Sequence, residues 1–166
     1  MATPGRDRAV ALSLQLAQAH QELRRQLAAL RAHPGERHPG NGALTTHCLA
    51  FCTSLTAHHR GEDTGMFTDL LRERPDLADT VRNLVQDHEM IATILTRVAD
   101  LAAGAAASAN RHTISAELDG LAAIMESHFR YEERAISNAL DQGTADTGWS
   151  AQVFRFDPAS RAAPNS

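Results

Sequence analysis

Apolar side chains recur every three or four residues along most of this chain, a spacing that places them on one face of a helix. Proline and glycine cluster where this period breaks, in the segments "HPGERHPGNG" (33–42), "RERPD" (72–76) and "AAGAAASAN" (102–110). The pattern predicts four helices, at 7–32, 42–72, 76–102 and 111–141. Because short connections make sequential helices antiparallel neighbours, the expected fold class is all-α, an up-down-up-down four-helix bundle.

Two further features refine this organisation. Gly61 and Gly65 predict a bend or interruption within the second helix. Residues 1–141 are expected to form a single domain, since 166 residues suffice for a stable core without disulfides. The helical period is lost in residues 142–166, which predicts an irregular tail, disordered over its last ten residues, with "WSAQVFRF" (149–156) able to pack on the bundle.

The apolar stripe of each predicted helix contains one histidine, and these positions repeat in two halves. In the second and fourth helices a glutamate follows the histidine by four residues, which places both side chains on one face. The histidines are 38 residues apart in the first half and 40 in the second. The six residues of this pattern are His20, His58, Glu62, His88, His128 and Glu132.

Because a helix rises by about 1.5 Å per residue, the number of residues between each side chain and the nearest loop gives its depth in the bundle. These depths place all six side chains at one level. An ionised carboxylate buried without a partner costs several kcal/mol, against a net stability of about 5–15 kcal/mol for a domain. Two divalent or trivalent metal ions would neutralise the carboxylates, which can bridge them, and would accept the imidazole nitrogens as terminal ligands. A buried polar network and a mononuclear site are the alternatives, although six ligands exceed what zinc usually takes.

The segments "LTAHHRGED", "QDHEMI" and "SHFRYEER" surround these residues, and with them the chain resembles the hemerythrin family, in its HHE cation-binding branch, over roughly residues 10–140. The resemblance implies a bundle that holds a non-haem di-iron centre, bridged by oxo, hydroxo or water ligands, which meets O₂, peroxide or related small molecules. Manganese and zinc remain alternative metals.

One departure from that family changes the expected activity. Oxygen carriers have a second histidine four residues after the third-helix ligand, where this chain has Ala92. Four histidines and two carboxylates leave more coordination positions open, which favours consumption of peroxide or O₂, a catalase-like or oxidative-stress role, over reversible O₂ carriage. A di-iron oxidase or oxygenase acting on an organic substrate and a non-enzymatic iron or redox sensor are the alternatives.

Neighbouring residues have smaller expected roles. Tyr131 and Glu133 flank Glu132 and are expected to form hydrogen bonds to the ligands from outside the centre. Asp63 is expected either to do the same or to be exposed to solvent. His59 is rotated about 100° from His58 around the helix and is expected at the periphery.

Composition argues against several classes of partner. The net charge is −4 and the sixteen basic residues are all scattered arginines, which does not indicate a nucleic-acid surface. No apolar run approaches the roughly 20 residues that span a bilayer. The first residues are expected to belong to a helix and not to a cleaved leader, and two cysteines one helical turn apart favour the reducing cytoplasm.

Overall fold

The computed structural model describes residues 10–32, 42–103 and 111–156, with the side chains of 42–47 outside that description. These ranges contain helices and no strand, so the predicted all-α class is confirmed. None of their helices has the length and apolar content needed to cross a membrane. The α-helices are α1 (Leu12–Ala32), α2 (Gly42–Gly61), α3 (Phe67–Glu73), α4 (Ala78–Ala103), α5 (Arg111–Asp141) and α6 (Ser150–Phe154).

A π-helical turn, Glu62–Met66, joins α2 to α3 at the place where the sequence predicts an interruption. The backbone N–H of Phe67 donates to the carbonyl of Glu62, which closes this wider turn. Such turns are rare in proteins, and those that do occur are often found at functional sites. This one begins at Glu62 itself, so the break in the helix falls at one of the six residues singled out above.

The four long helices pack around a common core. Helix α1 contacts α2 and α5, and α4 also contacts both α2 and α5. Hydrogen bonds and ion pairs show that α1 and α4 each run antiparallel to α5. Along each pair, residue numbers rise on one helix as they fall on the other. The pairs that define these antiparallel contacts are Ser13 with Asp141, Arg31 with Asp119, Asp87 with His128, and Arg97 with Glu117.

Buried apolar side chains form two clusters with a polar layer between them. On α1, Leu16 belongs to one cluster and Leu23 to the other, and His20 lies between them in sequence. Helix α4 repeats the arrangement, with Leu84 and Ile91 on either side of its buried histidine. Both helices therefore interrupt their apolar stripes with a buried histidine between the two clusters.

The segment after α5 turns back onto the helices. Gly143 has φ 133°, a left-handed conformation that suits glycine, just beyond the end of α5. Helix α6 then packs against α2, with Trp149 and Val153 buried. The close approach depends on Gly65, where an added Cβ would lie 2.5 Å from the Cβ of Trp149. Residues 157–166, which are predicted to be disordered, lie outside the described part of the chain.

Candidate metal centre

The six residues selected from the sequence are all buried and lie together. None of their side chains is more than 4 % exposed. Four of them, from α1, α2, the π-helical turn and α5, offer one ligand atom each within 4.8 Å of one another: His20, His58, Glu62 and Glu132.

A second group of three histidines adjoins the first. His59, His88 and His128 also offer ligand atoms within 4.8 Å of one another. The expectation that His59 lies at the periphery is wrong, because its side chain is only 6 % exposed. The physical reason is that α2 packs against both α1 and α4, so its buried face is wide enough to include two residues 100° apart.

The two glutamates lie between the two groups of imidazoles. Glu62 Oε1 is 3.1 Å from His58 Nε2 and 3.6 Å from His88 Nε2. Glu132 Oε2 is 3.2 Å from His20 Nε2 and 3.7 Å from His128 Nε2. Each carboxylate thus faces one nitrogen of either group, the position from which a carboxylate can bridge two cations.

The outward nitrogen of each predicted histidine ligand has a hydrogen-bond acceptor. Three of the acceptors are carboxylates and one is a backbone carbonyl. The Nδ1 atoms donate from His20 to Glu133 at 2.9 Å, from His58 to the Val153 carbonyl at 2.6 Å, from His88 to Asp63 at 2.7 Å, and from His128 to Asp87 at 3.0 Å. Because Nδ1 carries the proton, each Nε2 presents a lone pair to the centre. Hydrogen-bond acceptors of this kind hold a metal-binding histidine in position.

Sequence reasoning anticipated only part of this outer layer. Glu133 and Asp63 were expected near the ligands and accept hydrogen bonds there. Asp87 and the Val153 carbonyl were missed. Asp87 directly precedes His88 in the sequence, but no spacing rule links it to His128, the residue it contacts.

Two residues lie outside the cluster. Tyr131 is 38 % exposed and donates no hydrogen bond to the described residues of the cluster, in contrast to its expected role. It is one position from Glu132, which turns it about 100° away from the buried face. Ala92 is also exposed, so the place where oxygen carriers have a further histidine does not face the centre in this chain.

Seven buried polar atoms of the centre lack a hydrogen-bond partner among the residues that the structure describes. They are Nε2 of His20, His58 and His59 and both carboxylate oxygens of Glu62 and Glu132. Buried polar atoms are nearly always paired, and each orphan costs about 1–3 kcal/mol. Lone pairs of nitrogen and carboxylate oxygen converging on one point are what a metal ion accepts, so this donor set fits a cation.

The electrostatics of the two glutamates point to the same need for positive charge. Burial and the negative charge of Glu132 raise the pKa of Glu62 well above its usual range. Burial also disfavours ionised Glu132, but its contacts with Glu62 and His20 hold the pKa of Glu132 well below the usual range. These opposite shifts favour a single negative charge on the pair when no cation is present, and cations that ionise both carboxylates would release a proton.

Most of the imidazoles are held neutral, the state that binds metal. Burial lowers the pKa of His58 to about 3, with help from the charge on His20. Burial lowers the pKa of His59 and His128 as well. Burial would also lower the pKa of His20, but the adjacent carboxylates of Glu132 and Glu133 raise it. A cation beside His20 would oppose the protonated form and favour the neutral imidazole.

This helical domain buries a layer of imidazoles and carboxylates between two apolar clusters, an arrangement typical of cation-binding proteins. The chain matches the model of the family described as Hemerythrin HHE cation binding domain over residues 13–140. Because the match covers most of its length, the chain belongs to this family, as its sequence motifs indicate. No curated protein and no solved structure matches the chain.

Proposed function

We propose that the protein is a non-haem di-iron protein that binds or consumes O₂, peroxide or nitric oxide, with peroxide consumption as its leading activity. Support for two ions comes from the division of the donors into two groups with Glu62 and Glu132 between them. Imidazole and carboxylate donors suit iron, and also manganese or zinc. The proposal includes the up-down-up-down arrangement, which the two antiparallel helix pairs support.

The observation that carries the proposal is the set of seven buried polar atoms that have no hydrogen-bond partner within residues 10–32, 42–103 and 111–156. A polar network that served only to stabilise the fold would pair these atoms with one another. Instead, the Nδ1 protons are committed outwards, and the lone pairs are left facing inwards. His88 Nε2 and His128 Nε2 lie 3.1 Å apart in this way, an arrangement that a cation stabilises.

The residues of the chain would hold the ions and exclude water from them. His20 and His58 lie on one side and His88 and His128 on the other, and the outward hydrogen bonds keep all four rings in position. Bound iron would supply the oxidation and reduction of peroxide or O₂. The carboxylates of Glu62 and Glu132, which lie between the two groups of histidines, would offset the positive charge of the ions.

Burial of the centre supports a small substrate. The ring of Phe129 stacks on His20 with centroids 4.0 Å apart, and the ring of Phe156 lies 6.2 Å from that of His58. No predicted ligand is more than 4 % exposed, so a bulky organic molecule has no direct access to these side chains. This geometry supports O₂, peroxide or nitric oxide over the organic substrate of an oxidase or oxygenase. The cytoplasm remains the proposed compartment because Cys48 and Cys52 are free thiols.

Metal analysis after anaerobic reconstitution with Fe²⁺, with Mn²⁺ and Zn²⁺ in parallel, tests the proposal. We expect two irons per chain, a near-ultraviolet charge-transfer band after exposure to air, and evolution of O₂ on addition of peroxide. Two peroxide molecules then give one O₂ and two waters. The variant His88→Ala should lose iron and activity, whereas His112→Ala, at an exposed position, should keep both.

The outcomes separate the parts of the proposal. Well under two irons per chain overturns the di-iron centre. Two irons without evolution of O₂ overturn the catalase-like activity and leave metal binding intact.

A further inference from the structure

His59 has a buried ring nitrogen that nothing in the described part of the chain satisfies. Its Nε2 atom is fully enclosed and has no hydrogen-bond partner. The side chain is 6 % exposed, so solvent does not replace the missing partner. A buried histidine that served only as packing would normally pair this nitrogen, because an orphan costs about 1–3 kcal/mol.

The surroundings of His59 place it with two of the candidate ligands. Its ring stacks on that of His88, with centroids 3.8 Å apart and planes at 11°. The ring of His128 meets it edge-on, with centroids 5.4 Å apart. One nitrogen from each of the three rings lies within 4.8 Å of the others, the convergence expected around an ion.

Consecutive positions on α2 serve different sides of the bundle. His58 faces α1, where its ring lies 5.2 Å from that of His20. His59, about 100° further around the helix, faces α4 and the ring of His88. Glu62 follows one turn later and contacts a histidine of each group. One turn of α2 can therefore supply donors to both ions.

We propose that His59 is the third nitrogen ligand of the ion held by His88 and His128. The inference rests on the proposed di-iron centre and adds a ligand to it. The third nitrogen for this ion then comes from α2, through a residue adjacent to a predicted ligand. The ion at His20 and His58 keeps two nitrogen donors, so the position open to a small exogenous molecule lies at that ion.

Titration of the metal-free protein with ⁵⁷Fe²⁺ under anaerobic conditions tests this assignment. The variant His59→Phe keeps an aromatic ring against His88 and removes both ring nitrogens. We expect the second iron to bind at least about 10-fold more weakly in this variant, the loss that even an outer hydrogen-bond partner of a ligand can cause. His112→Phe, which removes an exposed histidine, should bind two irons as the parent protein does.

Crystals of the iron-loaded parent protein give a second measurement that does not depend on the folding of a variant. Anomalous scattering locates the ions, and His59 Nε2 is expected about 2.1 Å from one of them, a typical metal–imidazole distance. A distance above about 3 Å, or unchanged binding of two irons by His59→Phe, overturns the role of His59 and leaves the di-iron proposal standing. Failure of the parent protein to bind two irons would instead overturn the proposed function.

Discussion

The imidazole of His58 donates a hydrogen bond from Nδ1 to the backbone carbonyl of Val153, 2.6 Å away and 95 positions later in the chain. This contact ties a candidate metal ligand to α6, which lies beyond the four long helices. The other three predicted histidine ligands have carboxylate acceptors on α5, on α4 and in the π-helical turn. The C-terminal segment is thus part of the centre and holds one ligand in its metal-binding tautomer.

Truncation after Asp141 should weaken metal binding. Loss of residues 142–166 removes the acceptor of His58 and uncovers the side of α2 that α6 packs against. Removal of such a hydrogen-bond partner typically costs about 10–100-fold in metal affinity. Calorimetric titration with Fe²⁺ under anaerobic conditions measures the change. Truncation after Phe156 removes none of the described contacts and is the matched control, and equal affinity of the two truncated proteins would contradict the prediction.

Two glycine variants test how closely α6 packs on the bundle. At Gly65 an alanine Cβ would lie 2.5 Å from Trp149 Cβ, so Gly65→Ala should destabilise the fold by about 1–3 kcal/mol through overpacking. At Gly120, in the exposed part of α5, a Cβ meets nothing within 4 Å. Gly120→Ala should therefore stabilise by about 0.5–1 kcal/mol, as expected within a helix. Urea unfolding measures both, and a stabilised Gly65→Ala variant would contradict the tight packing.

Periodicity was sufficient to predict the helices and the layer of polar residues. Buried positions recur every three to four residues, so a histidine that falls in the stripe, such as His88 between Leu84 and Ile91, is predicted to face the core. The pairing of helices then brings His20, His88 and His128 to one level, because antiparallel neighbours with short connections leave little freedom in register. These properties depend on local spacing, which the sequence contains directly.

The residues that were missed depend on which neighbour each helix meets. His59 enters the core because α2 has two partners, and its angle from His58 alone predicted the opposite. Asp87 contacts His128 on another helix, and the Val153 carbonyl reaches His58 through a tail that has no helical period. Such contacts between distant segments follow from tertiary packing, and no local pattern in the sequence encodes them.

Acid should release the C-terminal segment from the bundle. Asp69 is buried and accepts hydrogen bonds from Thr147 Oγ1 at 2.7 Å and Trp149 Nε1 at 2.9 Å. The bond from Thr147 lowers the pKa of Asp69, against an opposing effect of burial and with help from Trp149. A carboxyl group whose pKa is lowered in the folded state stabilises the fold at pH values above its unfolded-state pKa, which is near 3.9. This stabilisation is lost as the pH falls through the folded-state pKa.

Fluorescence of Trp149, the one tryptophan of the chain, measures this release. Its emission should shift to longer wavelength as the pH falls below about 4, as expected for loss of the Asp69 carboxylate. In Asp69→Asn the shift should already be present at neutral pH. Asp76 also has a lowered pKa, through Arg74, but lies at the surface, so Asp76→Asn should follow the parent curve. A parent-like curve for Asp69→Asn would contradict the assigned role.

Removal of metal should lower the stability of the fold, because the converging lone pairs lose the cation that they face. Metal at one hundred times its Kd stabilises a protein by about 2.7 kcal/mol, which raises Tm by about 5–10 °C in a domain of this size. Glu62→Gln removes the charge that can bridge two ions but keeps the shape of the side chain. Burial and the charge of Glu132 raise the pKa of Glu62 and so favour its neutral form in the metal-free protein, and the metal-free variant should therefore melt close to the metal-free parent. Scanning calorimetry with and without Fe²⁺ should then show the metal-dependent rise in the parent and in His112→Gln, and little of it in Glu62→Gln. A full rise in Glu62→Gln would mean that the ions do not use this carboxylate, and the bridging position assigned to it would be wrong.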